Sequence, residues 1–231
     1  MDKSSHGAAL IVGIVALVLG GGAGYALGMN KDMMEASSNN NSQQSSMVIT
    51  SPAADIRVGM NNLLREHVSS SLDVTRAIAD EAPQAELDGA LSAQTANAVA
   101  IAEAVGSVYG EEAQKQITGM FVEHIKASND YARAVAADDQ AAKEAANTEL
   151  KEYLEEISTF FSTAIEGLPQ ETVYGLLEEH ENLLNQSVQA YQDGDFTRSY
   201  ELEREALTQM NGIADALSGG IVKTNPDKFK Q

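Results

Sequence analysis

His67, His124 and His180 recur at spacings of 57 and 56 residues, and their surroundings recur with them. Each follows a glutamate (Glu66, Glu123, Glu179) and an apolar pair, Leu63-Leu64, Met120-Phe121 or Leu176-Leu177. A shift of 56 also aligns Asp139 with Asp195, Ile157 with Ile213, Phe161 with Leu217 and Ile165 with Ile221. A unit of this length holds one pair of long helices, which cannot bury its apolar face alone, so three copies must pack together. The repeat therefore predicts an all-α fold: six long helices as three antiparallel hairpins in a bundle.

Local signals set the helix limits. Ser51-Pro52 is an N-cap followed by proline in the first turn, where its missing N–H costs nothing. The first helix is expected from Pro52 to about Asp80, before Pro83. The second runs from Gln84 to Val108, stopping at Tyr109-Gly110, and the third from Glu111 to Ala137. Asp138 or Asp139 caps a fourth that lasts to Glu166. Pro169 opens a fifth that ends near Gln192, and Asp195 caps a sixth that stops at Gly219-Gly220. The tail beyond is expected to be partly extended. The resulting organisation is 1-30 membrane anchor or signal, 31-50 linker, 51-222 helical-repeat domain and 223-231 tail.

Residues 7–29 carry no charge and are long enough to cross a bilayer as a helix. They predict a single-pass anchor with the large C-terminal part outside the cytoplasm. Cleavage after Ala26 would instead release a secreted domain. Gly20, Gly24 and Gly28 lie four apart, a spacing that lets two membrane helices approach and form a homodimer. Residues 36–46 read ASSNNNSQQSS, a polar tract that buries nothing and reads as a tether.

Charge and composition narrow the function. Fifteen basic residues against 34 acidic ones, a net charge of −19, exclude a nucleic-acid partner, which needs clustered Lys and Arg. With no cysteine, disulfides, thiolate metal sites and lipidated cysteines are all ruled out. No Gly-rich phosphate loop, nucleophile elbow or His-Glu-x-x-His motif occurs. The chain therefore reads as a binding or structural protein of the cell envelope, with no catalytic motif.

The histidines support two readings. Each lies on the apolar face of its helix, where an unpaired polar group is costly. A neutral imidazole could donate across a helix crossing and fix its register. Three imidazoles could instead hold a divalent transition metal, as in three-ligand zinc sites. That makes His67, His124 and His180 candidate ligands, joined by Glu66, Glu123 and Glu179 if those reach a neighbouring helix. Each glutamate lies about 100° around its helix from its histidine. The metal reading needs the hairpins to surround a common axis; hairpins stacked side by side would keep the outer histidines apart. Bridged di-iron sites need Glu-x-x-His, but Leu64, Phe121 and Leu177 stand three residues before the histidines.

The spaced pattern LLREHV…YG…FVEHI…LLEEH…GDF…GIVK-x-x-P-x-KF, over residues 58–229, resembles a family of poorly characterised bacterial helical proteins. Its members repeat a Glu/Gln-His pair at the start of successive long helices. The resemblance implies a multi-helix bundle and no established activity. Family members carry an Asn-Gln-x-Asp run in the second helix; here Asn97 remains, while Ala98 and Ala100 replace the Gln and Asp.

Overall fold

Ser51 accepts a hydrogen bond from the Ala54 amide at 3.1 Å and starts α1 (Pro52–Ala79). The structure is a computed structural model that describes residues 51–230. The chain continues through α2 (Gln84–Tyr109), α3 (Glu111–Ala136), α4 (Gln140–Ala164), α5 (Gln170–Gln192) and α6 (Phe196–Thr224). A 3₁₀ turn follows at Pro226–Phe229. Among the described residues there are six α-helices in a bundle and no strand. The expected anchor (1-30), the linker (31-50) and Gly20, Gly24 and Gly28 lie outside those residues. None of the described helices is long and apolar enough to cross a membrane.

The expected aspartate caps and the Gly110 break act where the sequence places them. Asp139 accepts from the Ala142 amide at 3.0 Å and Asp195 from the Arg198 amide at 3.0 Å. These bonds satisfy orphan N–H groups of the first turn. Only Gly110 separates α2 from α3, and its φ of 92° is a value that side-chain-bearing residues rarely adopt.

The repeat is also written in the backbone. Helices α1, α3 and α5 each end in a residue with positive φ: Glu81 (50°), Asp138 (53°) and Gly194 (78°). Each stands fourteen positions past its histidine. The next amide closes the same bond each time, Ala82 to Ala77, Asp139 to Ala134 and Asp195 to Ala190, all at 2.9 Å. This six-to-one closure satisfies a carbonyl at the helix end. Three chemically different residues thus adopt one conformation because the helix stop requires it.

Each helix packs on its neighbour in sequence, and α6 returns to pack on α1, so the sequence of contacts closes. Helices α1, α3 and α5 also touch one another. One apolar core draws on all six, with Val68, Val105, Ile117, Ile157, Met210 and Ile221 almost wholly enclosed. Burying side chains of this size contributes about 1.5–3 kcal/mol each before entropy is counted.

Helix α6 does not stop at Gly219-Gly220. It runs on to Thr224, across the expected tail boundary at 222–223, and the following residues coil into the 3₁₀ turn. Ile221 is fully buried, which rewards continued helix. A Cβ on Gly220 would collide with the Ile165 side chain, so this glycine serves a close helix approach. The Thr224 hydroxyl accepts from the Glu166 amide at 3.1 Å, and Lys228 donates to the Val108 carbonyl. The end of the chain is thereby held against the bundle.

Candidate metal centre

The contact among α1, α3 and α5 brings the three repeat histidines together. His67, His124 and His180 are 3%, 2% and 2% exposed. His67 Nε2 lies 3.1 Å from His124 Nε2. The His67 ring centroid is 5.3 Å from that of His124 and 6.0 Å from that of His180. One ring nitrogen from each residue lies within 4.8 Å of the others.

Three imidazoles bound to one ion at 2.0–2.1 Å would hold their nitrogens roughly 3.4 Å apart. Closing the observed separations to that value takes side-chain movement on the order of 1 Å.

The surroundings hold the rings in place. Tyr153 of α4 stacks on His124, with centroids 4.4 Å apart and planes 19° from parallel. Phe121, one turn before His124, meets His67 edge-on at 5.5 Å and His124 at 6.0 Å. Asn97 of α2 is buried beside His67 and donates to the Leu63 carbonyl at 3.0 Å. Ala98, the next residue on α2, is buried in the core.

Burial sets the protonation. It pushes His67 down to about 4, opposed by the Asn97 side chain. Burial, with nearby His67, pushes His180 down to about 3. His124 lies well below 6.5, through burial and then through His67 and His180. All three are neutral at neutral pH, so each offers an in-plane lone pair. His67 and His124 share the contact between their Nε2 atoms, while the Nδ1 atoms of all three histidines and Nε2 of His180 have no hydrogen-bond partner. Orphaned buried nitrogens of this kind call for an explanation.

Glu66, Glu123 and Glu179 are exposed and do not join the histidines. The carboxylate at the centre is Glu181, which is 5% exposed. Its Oε1 lies 3.5 Å from His124 Nδ1, longer than a well-formed hydrogen bond. Burial pushes its carboxyl up to about 8. It also raises the Tyr153 hydroxyl, first by burial and then through Glu181.

The signal for Glu181 lay in comparing the copies. The residue after the histidine is Val68 in the first copy, Ile125 in the second and Glu181 in the third. A charged residue in an apolar register position of one copy marks a departure from packing. Asp73 and Asp130, six residues past the first two histidines, lie at the surface.

Comparison with protein-family models, curated proteins and solved structures found no match.

Proposed function

We propose that this chain is a metal-binding helical bundle, in which His67, His124 and His180 supply three imidazoles to one divalent transition-metal ion. The observation that carries the reading is the convergence of three neutral, buried imidazoles from separate helices, with nitrogens left unpaired. Histidines kept only to lock helix register would each donate to a carbonyl or carboxylate. Imidazole suits zinc, copper, iron and nickel. The net charge of −19 favours the approach of cations to the domain.

Three hairpin copies account for the site economically. Triplication places one histidine at the same depth in every copy, and packing the copies around a common axis turns a repeat into a ligand set. The uncharged stretch 7–29, long enough to span a bilayer, supports reading the domain as membrane-anchored outside the cytoplasm, with residues 31–50 as its linker. Fractionation tests this placement: full-length protein recovered from cytosol contradicts it.

The metal reading is tested on the full-length chain stripped with chelator. Titration with Zn(II) or Co(II) should saturate at one ion per chain, and the triple His→Ala variant should bind none at that site. An unmodified chain that takes up no ion, with no rise in melting temperature, overturns it.

A further inference from the structure

Glu181 stands where hairpin packing needs no carboxylate. The equivalent positions hold Val68, fully buried in the core, and Ile125, packed against it. Among the described residues no lysine or arginine pairs with Glu181, and its one charge-capable partner is His124, at 3.5 Å. A buried carboxylate without a partner is costly, and an aliphatic residue of similar volume would be expected to pack as well or better. Its presence therefore points to something other than the stability of the bundle.

The geometry specifies what. His124 turns Nε2 toward His67 Nε2, at 3.1 Å, and Nδ1 toward Glu181. Metal-bound histidines donate their second ring N–H to a carboxylate, carbonyl or water, which fixes the tautomer and raises ligand basicity. We infer that Glu181 is the positioning residue for His124, accepting the Nδ1 proton so that the Nε2 lone pair faces His67, His180 and the ion. This rests on the metal reading above. On binding, the 3.5 Å separation closes to a hydrogen bond of about 2.7–3.2 Å, with the carboxyl oxygen accepting. None of the three Nδ1 atoms makes a hydrogen bond in the metal-free chain, and among the described residues only that of His124 faces a carboxyl group within 4 Å, so the support falls on one ligand of the three.

The test compares the full-length chain with Glu181→Gln and Glu181→Leu, titrated with Co(II) and followed by its visible absorption. Glu181→Leu should weaken Co(II) binding by about 10- to 100-fold. Glu181→Gln, whose amide oxygen can still accept from Nδ1, should recover most of that loss and keep the wild-type band position. Metal-free melting temperatures of both variants should not fall below wild type, separating positioning from structural support. Wild-type affinity in Glu181→Leu overturns the inference while leaving the metal site intact. A displaced band in Glu181→Gln overturns it differently, by making the carboxylate a direct ligand. If Glu181→Leu fails to fold, Glu181→Gln against wild type still decides through band position and affinity. No Co(II) binding by the wild-type chain removes the metal reading itself.

Discussion

Two groups of buried polar side chains, one helical turn apart on α1, behave in opposite ways. Around Ser71, every polar partner is matched. Gln94 donates to the Ser71 hydroxyl at 3.3 Å and accepts from Asn129 at 3.1 Å, linking α1, α2 and α3. Around His67, four residues earlier, three imidazoles converge and leave ring nitrogens unpaired. The first group has the form of architecture, a closed network that fixes how three helices meet. The second has the form of a binding site, because its polar atoms lack partners inside the protein. Depth is the same in both, so burial alone does not distinguish a structural polar group from a ligand; satisfaction does.

The comparison can be broken most forcefully with metal. An ion held by the histidine group at a free concentration a thousandfold above Kd should stabilise the chain by about 4 kcal/mol. For a domain of this size that raises Tm by roughly 8–16 °C. A Tm unchanged by Zn(II) or Co(II) would place the histidines with the architectural group.

Acid should act next, and only through the histidine group. His67 and His180 are held to about 4 and about 3, against 6.5 when free. Between those values the unfolded chain binds protons that the folded chain does not, so stability is lost as pH falls below 6.5. Glu181, raised from 4.5 to about 8, has the opposite sign, and its contribution is lost as pH rises through that window. Metal-free chain should therefore show its highest denaturation midpoint near pH 6–7. Glu181→Leu should flatten the alkaline limb and His180→Leu should shallow the acid limb. A midpoint constant between pH 6.5 and 4 would contradict this.

Gln94→Ala should cost about 1–3 kcal/mol in urea unfolding, since it strands Asn129 and Ser71 without partners. It should leave metal affinity unchanged. His180→Leu should be the smallest in stability, within about 0.5 kcal/mol of wild type or above it, because it removes unpaired polar atoms and keeps the volume apolar. Yet it should remove a ligand and abolish tight metal binding. A large destabilisation by His180→Leu, matching that of Gln94→Ala, would erase the contrast.

Much of the fold is local and was readable. Ser51, Asp139 and Asp195 act as caps, Pro83 and Pro169 precede helices, and Gly110 breaks one from the next. Gly219-Gly220 misled because a glycine pair can equally mark a helix stop or a close approach. Only the position of Ile165 across the interface separates the two. The histidines were legible as a repeat. Their meeting depends on contacts among α1, α3 and α5, which no local pattern encodes.

The charged members of the site show the same limit. Glu66, Glu123 and Glu179 adjoin the histidines in sequence, but one residue back along the helix turns a side chain about 100° toward solvent, while one residue on turns Glu181 into the core. Glu181 occupies the apolar face and breaks the pattern in one copy only, so a search for shared features passes over it. Gln94 and Asn97 lie on α2, whose many alanines give little contrast between a buried and an exposed face.

The most direct measurement is X-ray absorption on the full-length chain reconstituted with Zn(II), paired with elemental analysis. The account predicts one zinc per chain, with three imidazole nitrogens at about 2.0–2.1 Å. Zinc that is absent, or that is bound only by oxygen ligands, would contradict it.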